Sequence, residues 1–361
     1  MSKKVLLIGA GLTASLIANI LKRVDKTLKI PLEIHIWEKS RGVGGRFSTS
    51  RNPNNSSCIA DLGAQYLTRT VSNTLTKPYF DSLFEQGLIR KFPTSDIPSF
   101  KQSLVGEKEN YVCTSGTGSV VKHFLTQTEV KNITFNRRVV SISVTEDGRV
   151  EVIPEGKSHS ELFDFVISTI PVPQILQLEN IDAILKKSDQ DLKRKLSEVS
   201  YTSRYALGLF YNTQLIINPP EAAVNFVDDN PIVRYWTLED EKRRLGDSNR
   251  PRDSNSAVVI HTSVTFGAEN IDKELDNIKE VLLTEIKGKF KTLEGAQPDY
   301  VKCHKWRYSQ VNQGYEGSPG FVVLSKSPLI LAAGDGFVQS GFENCVLSAE
   351  NTAQQLISTI N

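Results

Sequence analysis

Val5-Leu6-Leu7-Ile8 is apolar at every position, the pattern of a strand buried on both faces. Gly9 to Ala14 interrupts the run, and Leu16, Ile17, Ile20 and Leu21 then recur at helical spacing. Leu32 to Trp37 alternates like a second strand. Residues 51–57 read as a polar loop, and Pro78 to Phe92 as an amphipathic helix with Phe80, Leu83, Phe84 and Leu88 on one face. A short helix is predicted over residues 120–125. Val139–Val144 and Val150–Ile153 alternate around Asp147-Gly148, a hairpin signal. Phe163 to Ile170 reads as a buried strand stopped by Pro171-Val172-Pro173, whose prolines would let the chain leave for another domain.

From residue 174 to 324 the pattern changes. Strands are predicted at 207–211, 224–227, 258–262 and 321–324, with helical segments at about 182–196 and 270–290. The charged stretch Asp240 to Ser256 reads as an exposed loop. This suits a mixed, largely antiparallel sheet forming one wall of a substrate pocket. Leu329–Ala333 is again a buried strand, followed by Gly334-Asp335-Gly336 and a helix over about 341–360. The expected class is α/β: a discontinuous Rossmann-like domain from 1–76, 116–170 and 325–361, and a mixed-sheet domain from 77–115 and 171–324.

A chain of 361 residues suits two such domains. With 39% hydrophobic and 23% charged residues it reads as soluble and globular. A net charge of +2 gives no general grip on nucleic acid or an anionic membrane, so neither is an expected partner. Cys58, Cys113, Cys303 and Cys345 are widely spaced, with no metal-ligand spacing, and reduced thiols are expected. No metal is expected. Lys3 and Lys4 before an apolar run raise a secretory signal as an alternative. Such a signal explains neither Glu38 nor the glycines after it, so a cytoplasmic location is the expectation.

The candidate chemistry starts in the first interruption. Gly9-Ala10-Gly11-Leu12-Thr13-Ala14 is a G-x-G-x-x-A fingerprint. Gly9 permits the turn, Gly11 lets a pyrophosphate approach the backbone, and Ala14 lets helix and strand pack closely. The helix N-terminus offers free N–H groups to phosphate. Glu38, at the end of the second strand, stands where an acid binds ribose hydroxyls. Gly44 and Gly45 let the chain pass against a second part of the cofactor, and Arg46 can pair with its pyrophosphate. Gly334-Asp335 after the last strand places an acid for a ribitol hydroxyl.

The blocks IGAGLTASL, GGRFST, ADLGAQYLT, TIPVPQILQL, VSYTSRYALGLFY, VIHTSVTFG, KWRYSQV and GDGFVQSGFENC together resemble the renalase family of the flavin amine-oxidase superfamily, over nearly the whole chain. The resemblance implies a fold of the p-hydroxybenzoate hydroxylase and amine-oxidase type with non-covalent FAD. It implies oxidation of the 2- and 6-dihydro isomers of NAD(P)H to NAD(P)+ by hydride transfer, with O2 reduced to H2O2. It also places Thr13, Arg46, Gln65 and Tyr66 at the FAD, with Glu38 and Asp335 at its two sugar-like ends. Ala14 stands where the family usually has Gly, a change between two small residues. Arg41-Gly42-Val43 before the paired glycines is a second, local departure.

Tyr205, His261 and Trp306 are the candidates for the substrate pocket. His261 reads either as a core histidine with its nitrogens satisfied or as a hydrogen-bonding partner of a carboxamide or of the flavin. Trp306 reads either as core or as a stacking surface for nicotinamide. Lys305 adjoins Trp306, but neighbours on a strand face opposite ways. Arg204 and Arg307 are candidates for a substrate phosphate. Hydride loss from a dihydropyridine leaves an aromatic cation and needs no base, which suits a chain without an obvious acid–base constellation. An amine oxidase of the same superfamily, and an FAD-containing signalling or binding protein with incidental turnover, are the competing readings.

Overall fold

Val5, Leu6 and Leu7 have no exposed surface because the strand Lys3–Ile8 lies inside a parallel sheet. The computed structural model describes residues 2–93, 107–128, 130–156, 159–215, 223–247, 249–289 (backbone alone at 288 and 289), 293 and 295–361. They divide into two compact units, one of residues 1–45, 121–201 and 310–361, the other of residues 46–120 and 202–309.

In the first unit the main sheet runs in the order Phe321–Lys326, Leu329–Ala333, Phe165–Ser168, Lys3–Ile8, Leu32–Trp37, Asn132–Thr134. The last five are mutually parallel and Phe321–Lys326 runs antiparallel at the edge. Lys3–Ile8 has the next strand in sequence on one side and a much later one on the other. That reversal is the switch point at which such sheets bind ligands, beyond the strand C-termini. Helices Leu12–Val24 and Phe342–Ile360 pack on one another. On the opposite face Leu6, Ile8, Val166, Ile330 and Ala332 share a core with Ile181, Ile184 and Leu185 of a helix, and with Val139, Ile142, Val150 and Val152 of a hairpin.

The second unit is built on an antiparallel sheet in the order Val224–Phe226, Val233–Leu238, Ser256–Thr262, Arg204–Tyr211, Tyr300–Trp306. Strand alternation splits its side chains between two cores. Leu207, Leu209, Val258 and Ile260 meet Ile278, Leu282 and Ile286 of helix Leu275–Lys289. Ala206, Phe210, Ala257 and Val259 meet Cys58, Ala60 and Leu62, at and just after the hairpin strand Asn55–Asp61. A smaller sheet pairs Lys108–Cys113 with both Leu67–Thr70 and Ile89–Phe92. Among the described residues no helix is long and apolar enough to cross a membrane.

Several elements differ from the sequence expectation, each for a local reason. The helix expected to Phe92 is Lys77–Glu85, and Ile89–Phe92 is a strand. Gly87, at φ +65°, donates to Phe84 O while Leu88 N–H reaches back to Leu83 O, a Schellman stop. Phe84, expected on the apolar face, is 57% exposed. The segment 182–196 is two helices, Ile181–Ser188 and Leu192–Ser197, broken where the Asp189 carboxylate accepts the Asp191 N–H. Asp164 splits the run 163–170 into strands of two different sheets. Residues 51–57 bridge a hairpin, Thr49–Asn52 with Asn55–Asp61.

The expected exposed loop 240–256 is corrected most. It opens with the helix Glu239–Arg244, in which Glu239, Asp240, Lys242 and Arg243 are buried, and it ends at buried Asn255 and Ser256. The prolines at 171 and 173 start a short helix, Val172–Ile175, instead of releasing the chain: residues 171–201 stay in the first unit. Residues 310–324 also group there, since Val311–Gln313 pairs with Ser200–Tyr201. Residues 46–76 and 116–120 group with the second.

Candidate functional site

In the first unit the fingerprint forms a cradle. Gly9 turns at φ +101°, and a Cβ there would stand 3.0 Å from Thr169 Oγ1. Helix Leu12–Val24 begins at Gly11 with no side-chain cap and no acid in its first turn. Its first N–H groups are therefore available to an anion. A Cβ on Gly11 would meet nothing within 4 Å, so the backbone there borders open space. Gly44 N–H donates to Ala10 O at 2.9 Å, and a Cβ on Gly45 would stand 3.5 Å from Gly11 Cα. The second glycine segment thus lies directly against the first. Glu38 is buried at the end of its strand, with Oε2 accepting from Ala10 N–H and Oε1 from Ser40 N–H, both at 2.8 Å. Each oxygen keeps a lone pair for a hydroxyl.

Thr13 and Ala14 are buried in the first turn. Gly334, at φ +119°, comes close to Thr13, its Cβ position 4.0 Å from Thr13 Oγ1. Asp335 beside it is buried and accepts the Ser340 hydroxyl at 2.8 Å. Helix Phe342–Ile360 follows Gly341, again without a side-chain cap. The unit thus gathers Gly9, Gly11, Thr13, Ala14, Glu38, Gly44, Gly45, Gly334 and Asp335 around one switch point. A dinucleotide cofactor fits this set: two uncapped helix N-termini, open space at Gly11, and an oriented acid on each side.

In the second unit Arg46 donates to Ser309 O at 3.3 Å, and its own carbonyl accepts Ala64 N–H at 2.9 Å. Gln65 is a hub. Its amide nitrogen donates to Asp61 O and to Gly63 O (3.0 Å) and lies 3.4 Å from His261 Nε2. Its amide oxygen accepts from Tyr235 Oη at 3.2 Å and Lys242 Nζ at 3.1 Å. Trp306 Nε1 donates to Leu62 O at 2.7 Å, and the Leu62 backbone also hydrogen-bonds the His261 imidazole. His261 keeps an accessible edge. The protein around it, with Arg204 and Lys242 nearby, nevertheless lowers its pKa to about 3. The ring is neutral at physiological pH. Burial raises Tyr66 to about 12 and Tyr235 well above its ordinary value, so both stay phenols.

Register fixes which candidates share a face. Ala206 pairs with His261 and Arg204 with Trp306, so Arg204, His261 and Trp306 lie on one side of the sheet. Tyr205 does not join them. Alternation turns it into the helix-side core, where its hydroxyl donates to Asn270 O at 2.7 Å. Lys305 also faces that side, its ammonium donating to Lys273 O at 2.8 Å. Arg307 pairs with exposed Asp272 at 2.6 Å. Of the two arginines considered for phosphate, Arg204 is the one beside the candidate pocket residues.

Sequence reasoning missed Tyr235, Gly63 and Lys242. Lys242 lies in the charged run mistaken for a loop. The signal was the spacing: Glu239 stands three and four residues before Lys242 and Arg243, directly after an apolar strand. Gly63 is required because a Cβ there would collide with the Arg46 carbonyl oxygen.

Comparison with known proteins identifies the family. The flavin containing amine oxidoreductase family matches residues 79–357, and an NAD(P)-binding Rossmann-like domain matches residues 7–83. Mouse (Mus musculus) renalase is 33% identical over 349 residues, covering 96% of each chain. A putative protoporphyrinogen oxidase from Exiguobacterium sp. shares the fold, with a TM-score of 0.66 and 99% of each chain covered at 13% identity. The chain belongs to the renalase family within the flavin-containing amine oxidoreductases, and its cofactor is FAD.

Proposed function

We propose that the protein is an oxidase of the 2- and 6-dihydro isomers of NAD(P)H, returning NAD(P)+ and passing the electrons to O2 as H2O2. When bound, the FAD would supply the two-electron acceptor and the route to O2. The cradle of the first unit would hold it, with Glu38 and Asp335 on its two sugar-like ends and Arg46 on its pyrophosphate. We take the FAD to be non-covalent, so acid denaturation should release it free.

The observation that carries this reading is the character of the pocket candidates. His261 is neutral, and the charges acting on it are the cations Arg204 and Lys242. Tyr66 and Tyr235 keep their protons. Burial raises the Asp240 carboxyl to about 7 and raises the Glu239 carboxyl as well; both belong to the helix Glu239–Arg244, and neither is among the charges acting on His261. A site so furnished offers hydrogen bonds from a neutral imidazole and two phenols and a stacking surface on Trp306, with no charged base among these candidates. Loss of hydride from a dihydropyridine needs no base. The Arg204 guanidinium on the same sheet face favours an anionic dinucleotide and disfavours an ammonium ion. Both features favour the dinucleotide over the amine.

The reading also includes a reducing, cytoplasmic compartment, which the four separate thiols suit. Aerobic turnover of either isomer should yield about one H2O2 and one NAD(P)+ per substrate, since a two-electron cycle allows no other ratio. Release of NAD(P)+ without peroxide would overturn the oxidase assignment.

A further inference from the structure

The helix Glu239–Arg244 carries a buried ion cluster that touches the Gln65 side chain. Lys242 is 1% exposed and Glu239 0%. Lys242 Nζ lies 2.6 Å from Glu239 Oε1, 3.7 Å from Asp61 Oδ2 and 3.1 Å from Gln65 Oε1. Glu239 Oε2 accepts the Asp61 N–H at 3.0 Å and lies 3.6 Å from Arg243. Asp61 Oδ1 accepts from the Thr49 hydroxyl and from both the hydroxyl and N–H of Thr117. The ammonium is therefore held from three sides.

An ammonium only donates hydrogen bonds. The Gln65 atom facing it must be the amide oxygen, and Tyr235 donates to the same oxygen. The carboxamide nitrogen is thereby turned to the Asp61 and Gly63 carbonyls and to His261 Nε2. Two carbonyls on one side and an ammonium on the other leave a single orientation. An Nε2–H on His261 would then point at another donor, so the ring carries its proton on Nδ1.

We propose that Lys242, locked by Glu239 and Asp61, is a positioning residue that fixes the Gln65 carboxamide and through it the tautomer and orientation of His261. It touches no reacting atom and acts through two neighbours. The consequence for catalysis rests on the proposed function, in which His261 faces the substrate. The tautomer itself does not.

The test uses flavin-loaded protein with 15N-labelled histidine, comparing wild type with Lys242→Met and with Glu239→Gln/Lys242→Met. The double variant removes both charges, so no carboxylate is left buried alone. Groups facing His261 are Arg204, Lys242, Tyr235, Gln65 and Trp306. In wild type, long-range proton–nitrogen correlations should show His261 as the Nδ1–H tautomer, unchanged from about pH 5 to pH 8. In either variant the ammonium no longer opposes rotation of the Gln65 amide, which the Asp61 and Gly63 carbonyls and Tyr235 still hold, so His261 should shift at least partly to Nε2–H. Gln65→Glu, which removes the amide N–H altogether, should force Nε2–H even with Lys242 present. A tautomer unchanged in the folded Lys242→Met variants overturns the proposal, whatever Gln65→Glu does. A changed tautomer with dihydronicotinamide turnover intact upholds it, and instead removes His261 from the reaction.

Discussion

At the scale of single residues, Gly63 and His261 carry the clearest consequences. Gly63 lies so close to the Arg46 carbonyl that a methyl group there must move backbone. Gly63→Ala should cost about 1–3 kcal/mol, the usual penalty of overpacking, and should lower flavin content by shifting Arg46. Gly42, whose Cβ position is open, is the control: Gly42→Ala should change stability by less than about 0.5 kcal/mol. Equal melting temperatures and flavin content in the two variants would remove Gly63 from the account. His261 predicts a pH effect. Its pKa falls from an ordinary 6.5 to about 3 on folding. Between those values the unfolded chain takes a proton that the folded one refuses. Stability from this residue is present above about pH 6.5 and is lost as pH falls toward about 3. His261→Gln, which cannot titrate, should flatten the acid limb of a stability–pH curve in that window. An unchanged slope would mean that the folded imidazole titrates normally.

At the scale of elements, Val5 to Leu21 supplies the central strand and most of the helix that opens the cradle. Removing residues 1–21 should abolish flavin binding, and a truncated chain isolated with full flavin content would contradict this. That stretch was legible in the sequence because pattern and chemistry agree there: an all-apolar strand, two glycines where a phosphate approaches, a helical repeat. Leu32–Trp37, the 139–154 hairpin and Leu329–Ala333 were legible for the same reason. The helix Glu239–Arg244 was not. Charged residues normally lie in water; the spacing of Glu239, Lys242 and Arg243 signals that they pair, but not that they are buried. Such a cluster is costly to bury and costly to break, about 3–5 kcal/mol when one partner is removed. Tyr205 shows the other limit. It has the right chemistry beside the right residues, but strand parity sends it to the opposite face, and parity became known only with the register to His261 and Trp306.

At the scale of the whole molecule, each unit holds a distinct share of the candidate machinery. The first carries a cradle suited to FAD. The second carries a neutral histidine, a tryptophan and the Arg204 guanidinium on one face of its sheet. The glycine spacing and strand-end acids of the cradle stand out in the sequence because they are local features. The second set does not, since its members come from distant segments and meet only through sheet register. The central claim is that this chemistry is hydride removal from a dihydronicotinamide. Anaerobic mixing of the flavin-loaded protein with each substrate class, following flavin absorbance, tests it most directly. The 2- and 6-dihydro isomers should bleach the flavin on the order of seconds or faster, with a rate only weakly dependent on pH. Ordinary 4-dihydro NADH should react poorly, because its hydride sits on a different ring carbon. Rapid bleaching by simple amines, climbing with pH toward the amine pKa, with none by the dihydro isomers, would contradict the account.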